Sequence, residues 1–182
     1  MDALYIRKVL DGDSEAFRYF LKEYKHMAFT IALAVVKDEF TAEEVVQNAF
    51  LKAFRNLDKF HQQAKFSTWF YRIVTNEALM MHKKQKRDIV DLIPEYEEEL
   101  LDESAILTMQ QEEQQHLVNE ALKQLSSKEA LALRLFYLEE ESVKSVGEIT
   151  GWTTADVKTT MHRARKNLQG VLNQLLNRSL KV

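Results

Sequence analysis

The sequence predicts an all-α fold of two small helical domains joined by an acidic linker, and three observations carry that reading. Glycine and proline are scarce, four and one in 182 residues, while Leu, Ala, Glu, Lys and Gln abound, so the punctuation of a sheet protein is missing. Apolar residues recur at three- and four-residue spacing along most of the chain, the period of amphipathic helices. Charge is partitioned: the formal net charge of −3 resolves into +3 over residues 1–90, −9 over 91–115 and +3 over 116–182. The only proline and the densest run of carboxylates share the stretch IVDLIPEYEEELLDES, where self-repulsion opposes core packing. The predicted organisation is therefore a first domain over 1–90, a linker over 91–115 that runs into the next helix, and a second domain over 116–182.

Within the first domain a short helix is expected over Asp2 to Leu10. Ser14 to about Val36 places Phe17, Phe20, Leu21, Tyr24, Ala28, Ile31 and Val35 on one stripe, with Ser14 or Asp13 as its cap. Thr41 is expected to cap the next helix, with Glu44 in capping-box register. That helix carries Val45, Val46, Ala49, Phe50, Ala53 and Phe54 inward and ends near Leu57, leaving Glu43, Glu44 and Gln47 on or beside its solvent side. Ser67 to about Lys84 forms a third strong helix through Trp69, Phe70, Ile73, Val74 and Leu79, and ends in the basic run HKKQKR.

The second domain is expected to be helical over about Ser104 to Leu125. A helix over Ser126 to Tyr137 opens with Ser126 and Glu129 as a capping box. Two further helices, Ser142 to Thr150 and Thr154 to about Leu176, are separated only by GWT. That pair has the form of a helix-turn-helix: Gly151 supplies a left-handed turn residue, Trp152 packs in the angle, and Thr153 with Asp156 caps the second helix. Val157, Met161, Ala164 and Leu168 give this last helix an inner stripe. On a recognition helix the N-terminal residues meet base edges while Lys and Arg neutralise phosphates. Thr154, Ala155, Lys158 and Thr159 are thus candidates for the bases, and His162, Arg163, Arg165 and Lys166 lie on the same outward side.

Catalytic and metal chemistry find little to work with. Cysteine is absent, so there is no thiol nucleophile and no thiolate metal site. The five histidines are scattered without metal-ligand spacing, and no glycine-rich phosphate loop is present. Neither enzymatic activity nor a cofactor is expected. No apolar run approaches the roughly 18 residues of a membrane span, and a cytoplasmic protein without membrane insertion is the expectation. The stretch FHQQAKFSTWFYRIVTN followed by MMHKKQKR is more informative, since aromatic rings interleaved with amides and cations suit single-stranded DNA. Trp69, Phe70 and Ile73 at helical spacing also fit a plain core, which is the favoured role for each. The polar residues from His61 to Lys65, with Asn76, are the better candidates for contact because no core requires them.

Taken in order, these parts resemble the small group-4 sigma factors of the bacterial sigma-70 family, the extracytoplasmic-function type. EAFRYFLKEYKHMAFTIALAVVKD is similar to region 2.1 and TAEEVVQNAFLKAFRNLDKF to region 2.2. FSTWFYRIVTNEALMMHKKQKR resembles regions 2.3 and 2.4, with Trp69, Tyr71, Arg72, Ile73 and Asn76 in the W-x-Y-R-I-x-x-N pattern. VKTTMHRARKNL resembles the end of region 4.2. The resemblance implies a non-enzymatic initiation factor that binds core RNA polymerase, at the clamp of its largest subunit and the flap of the second, and promoter DNA in duplex and single-stranded form. It places Glu43, Glu44, Gln47 and Asn48 against the clamp. It gives −10 DNA to Phe60, His61, Gln62, Gln63, Lys65, Phe66 and Asn76, with Lys83, Lys84, Lys86 and Arg87 tracking the backbone. It assigns the −35 element to the helix-turn-helix and implies an anti-sigma factor as a further partner.

Some positions depart from the family. Thr153 and Ala155 stand where Pro and Gly are frequent, Thr160 where Arg is, and Met80 where Asp often follows the Asn. Ser145, Val146 and Gly147 replace Glu-Ile-Ala, and Gly147 lowers helix propensity by about 1 kcal/mol relative to Ala. A helix-turn-helix regulator with a helical sensor domain is the other reading the residues allow, as is a helical adaptor. The first would need a ligand pocket in the first domain, and the second would not bind DNA in a salt-sensitive way.

Overall fold

Apolar stripes at helical spacing become helices throughout a computed structural model that describes residues 1–61, 63–85 and 110–179. In chain order these are α1 (Asp2–Leu10), a 3-10 turn (Ser14–Phe17), α2 (Arg18–Val36), α3 (Glu39–Arg55), a second 3-10 turn (Leu57–Lys59) and α4 (Phe66–Gln85). After the linker come α5 (Gln111–Gln124), α6 (Ser127–Leu133) continuing as a π turn (Arg134–Leu138), α7 (Val143–Thr150) and α8 (Thr154–Ser179). No strand occurs among the described residues. Linker residues 91–109, the expected start of α5 at Ser104, and Gln62, Lys86 and Arg87 lie outside them.

In the first group α2, α3 and α4 pack pairwise around Phe20, Ile31, Val35, Val45, Phe50, Phe70 and Val74. Each fully buried side chain of that size contributes about 2 kcal/mol. A single carboxylate pins α1: Asp2 accepts from the Tyr19 and Tyr24 hydroxyls, each at 2.8 Å, and Tyr5 stacks on Tyr19. The start of α3 differs from expectation. Asp38 is the cap, accepting from the Thr41 amide (2.8 Å) and hydroxyl (2.6 Å), while Thr41 is buried one turn inside the helix. An ionised carboxylate is the stronger acceptor for an orphan N–H, so the helix begins three residues earlier than a cap at Thr41 would dictate. The same two contacts hold the Asp38 carboxyl below its ordinary range.

The second group packs α5, α6 and α7 against α8. Ser126 and Glu129 form the expected capping box, Ser142 caps α7, and Thr153 with Asp156 caps α8. Gly151 turns the chain at φ 76°. Gly147 proves to be a packing requirement: a Cβ there would stand 2.9 Å from the Trp152 carbonyl oxygen. Helix propensity favours Gly147→Ala by about 1 kcal/mol, but a contact against backbone in a packed corner outweighs it. The expected outcome is a loss of about 1–3 kcal/mol in urea unfolding. A stabilised variant would show that the corner relaxes freely.

The two groups touch, α4 running along α7 and α2 along α6. At this boundary burial pushes the Glu139 carboxyl up to about 7, with Glu141 adding to the rise and Arg134 and the Tyr71 hydroxyl opposing it. An acid with a raised folded value holds its proton more tightly when folded. Its contribution is fully present at low pH and is lost as pH rises from about 4.5 to about 7. Glu139→Gln is therefore expected to gain stability over the native chain between about pH 5 and about pH 8 in thermal melts. A difference independent of pH would remove Glu139 as the cause.

Candidate polymerase and nucleic-acid interfaces

Three helices each turn a distinct chemical stripe to solvent. On α3 the core side is Ala42, Val45, Val46, Ala49 and Ala53. At 100° per residue the opposite side collects positions 40, 43, 44, 47, 51 and 54. Glu43, Glu44 and Gln47 are exposed there and Asn48 is half-buried at the margin. Phe40 (79 %), Leu51 (52 %) and Phe54 (41 %) share the stripe, so two carboxylates and an amide sit between exposed apolar shoulders. Those shoulders escaped the sequence reading, which turned Phe54 inward because it is apolar. Its angular position, beside Gln47 rather than Ala53, was the available signal. Lys52 pairs with the buried Glu77 and ties this helix to α4.

On α4 the stripe is cationic. Lys65, Arg72, Asn76 and Lys83 follow one another at seven, four and seven residues, which is a single helical line, and all are exposed. Met80 (56 % exposed) flanks it, and Lys84 is exposed beside it. Arg72 was not among the expected contacts, although its spacing from Lys65 and Asn76 marks it. His61, Gln63 and Lys65 are exposed in the loop before the helix. Phe60 and Phe66 correct the expectation: they are 9 % and 3 % exposed. Phe66 lies 4.3 Å from the Phe20 ring and 5.5 Å from Trp69, and Phe60 packs 5.2 Å from Trp69. Aromatic burial outweighs solvent contact for both rings, so they anchor the two ends of the loop rather than face a base. Phe70 is fully buried and Trp69 and Ile73 are half-buried against the core.

On α8 the inner stripe is Val157, Met161 and Ala164, all buried. Thr154, Ala155, Lys158, Thr159, His162, Arg163, Arg165 and Lys166 are all exposed on the other side. The hydrogen bonds from Thr153 hold the Asp156 carboxyl below its ordinary range. Asp156 therefore stays ionised at the helix start, where the dipole favours negative charge. Thr160, which stands where the family often has Arg, is 1 % exposed, and its side chain belongs to the core. Arg165 Nη1 donates to the Tyr137 hydroxyl at 3.3 Å. Behind that bond lies an apolar groove of about 300 Å³ lined by Val118, Leu122, Leu133, Tyr137, Leu138 and Leu168. No carboxylate–histidine cluster able to hold a metal occurs among the described residues, and no described helix is long and apolar enough to cross a membrane.

Two family models match the chain, sigma-70 region 2 over residues 20–88 and sigma-70 region 4 over residues 115–168. Among curated relatives, an ECF RNA polymerase sigma factor SigW of Bacillus subtilis is 29% identical over 93% of this chain and 96% of its own length. An RNA polymerase sigma-H factor of Pseudomonas aeruginosa is 27% identical over 96% and 95%. Among solved structures, CnrH in complex with the cytosolic domain of CnrY superposes with a TM-score of 0.65 at 20% identity, covering 94% of this chain and 96% of that one. The sigma factor RpoE of Bartonella quintana, in complex with the anti-sigma factor NepR, gives a TM-score of 0.64 at 21% identity over 86% and 96%.

Proposed function

Since the chain belongs to the sigma-70 family of transcription initiation factors, in its extracytoplasmic-function branch, we propose that α3 docks on core RNA polymerase, the loop before α4 captures −10 DNA, and α8 reads the −35 element. The observation that carries this reading is the α4 line of Lys65, Arg72, Asn76 and Lys83, continuous with the exposed polar loop. Cations at that spacing follow a phosphate backbone, and a single amide among them can recognise a base edge. His61, Gln63 and Lys65 are exposed on a loop flanked by buried Phe60 and Phe66, and Asn76 follows on the same line of α4. Such a rigid frame suits a nucleotide taken out of the stack.

The α3 stripe pairs carboxylates with exposed apolar residues, the composition of a protein-docking face rather than a DNA-binding one. The apolar groove beside Tyr137 is the natural seat for the polymerase flap, and an anti-sigma factor is the expected cellular antagonist. Transcription from genomic fragments with purified core polymerase tests the assignment. Start sites are expected to align on a shared pair of elements. Asn76→Ala should reduce open-complex formation while leaving core affinity intact. Absence of any transcript with demonstrably active core enzyme would sink the reading.

A further inference from the structure

The outward side of α4 carries one chemical exception. Its exposed residues are Arg72, Asn76, Met80, Lys83, Lys84 and Gln85, and all but Met80 bear a cation or an amide. Arg72, Asn76, Met80 and Lys84 follow one another at four-residue spacing. They therefore form one ridge, with about 6 Å along the axis between neighbours. Met80 is 56 % exposed, whereas Leu79 and Met81, next to it in sequence, pack against the core. The core thus makes no use of Met80, and a thioether within a row of cations and an amide adds nothing to phosphate binding. The ridge is also held in place: Lys52 pairs with buried Glu77, and Gln85 donates to the Thr41 hydroxyl at 3.0 Å. Both bonds tie α4 to α3, one on each side of Met80 in sequence.

We infer that Met80 is a specificity-determining residue whose side chain rests on the C5-methyl group of a thymine in the melted −10 strand. The inference rests on the assignment of α4 to −10 DNA. Arg72 lies two turns before Met80 on the ridge and Lys84 one turn after it, so phosphates are held on both sides and Met80 meets a base between them. Flat base faces are matched by aromatic rings, but α4 buries Phe70 fully and turns Trp69 against the core. Base edges are polar with one exception, the thymine methyl, and an apolar side chain is its matching contact. The unbranched, polarizable chain of Met adjusts readily to a small group on a flexible strand. An edge without the methyl leaves Met80 against polar atoms that gain nothing from it. At about 3.4 Å per nucleotide, the distance of about 6 Å from Asn76 puts this thymine one or two nucleotides from the base that Asn76 holds. The amide then reads a hydrogen-bonding edge and the thioether reads a methyl.

Uracil differs from thymine only by that methyl, so the contact can be tested from the DNA side. The probe is a promoter fragment identified by transcription with core enzyme, each thymine of its non-template −10 strand replaced in turn by uracil. With the full native chain, one replacement is expected to lower open-complex formation about 3- to 5-fold, the effect of one buried methyl. Met80→Ala should cost a similar factor on the thymine promoter and make thymine and uracil equivalent at that position. Met80→Leu, which keeps an aliphatic end, should retain the difference. Core affinity and urea unfolding should match among the three chains, since Met80 lies outside the core and off the α3 stripe. The absence of any uracil-sensitive position with the native chain overturns the inference, and so does a sensitivity that survives Met80→Ala at every position. In both cases Asn76→Ala still impairs open complexes. If Asn76→Ala leaves them unchanged, the −10 assignment itself falls and this inference falls with it.

Discussion

Reversal of both carboxylates on the α3 stripe, Glu43→Lys with Glu44→Lys, is expected to weaken binding to core RNA polymerase by about 100-fold or more. Both side chains are exposed, so the fold loses nothing when they change. On the proposed docking, a partner site shaped for negative charge then meets two cations, and like charges brought together across an interface oppose binding by several kcal/mol. About 2.8 kcal/mol already corresponds to 100-fold. The neighbouring Phe40 and Leu51, exposed at 79 % and 52 %, should act with them as apolar anchors. Leu51→Ala is expected to weaken binding about 10-fold on its own. Glu15→Lys serves as the control, since Glu15 is exposed and pairs with Arg18 outside the stripe. Titration of labelled chain with core enzyme measures all three. Equal effects from Glu15 and from the Glu43–Glu44 pair would mean that overall charge, not this face, governs binding.

Which features were legible in the sequence follows from how local their causes are. The capping boxes at Ser126–Glu129 and Thr153–Asp156, and the turn at Gly151, depend on residues within three or four positions, and the structure forms them as expected. The cap of α3 was misread because two oxygen-bearing residues compete three positions apart, and the choice between Asp38 and Thr41 turns on acceptor strength. Phe60 and Phe66 were placed among the DNA contacts because aromatic residues serve both cores and bases. Their burial depends on Phe20 and Trp69, which only the fold brings near. The burial of Thr160 likewise depends on how α8 packs against its neighbours. The reason for Gly147 lies in a backbone oxygen five residues on, across a turn. Nothing at Lys37 or Ser127 announces their bonds to the Leu122 and Val35 carbonyls, across 85 and 92 residues, so the contact between groups had no sequence signature at all.

Removing the phosphate contacts proposed for α8 should separate the two kinds of work assigned to that helix. The triple variant Arg163→Ala, Arg165→Ala, Lys166→Ala is expected to lower affinity for −35 duplex DNA by about 10²-fold near 0.15 M salt. Each neutralised phosphate contributes a slope of about 0.9 in log affinity against log salt, so three lost contacts flatten the dependence by about 2.7. The loss should be nearly uniform across sequences, because backbone contacts position the helix without reading bases. Lys158→Ala near the helix start should behave differently, relaxing preference at one or two base pairs by about 1–3 kcal/mol with a smaller change in salt slope. Alanine is a strong helix former and all four positions are exposed, so stability should hold and unfolding curves provide the check. Arg165 adds one refinement, since its bond to the Tyr137 hydroxyl fixes the guanidinium before DNA arrives. Tyr137→Phe should then weaken duplex binding slightly with the salt slope intact, because the charge remains and only its placement is loosened. A triple variant that keeps its full salt slope would show that α8 lies away from the phosphates, and the −35 assignment would fall with it.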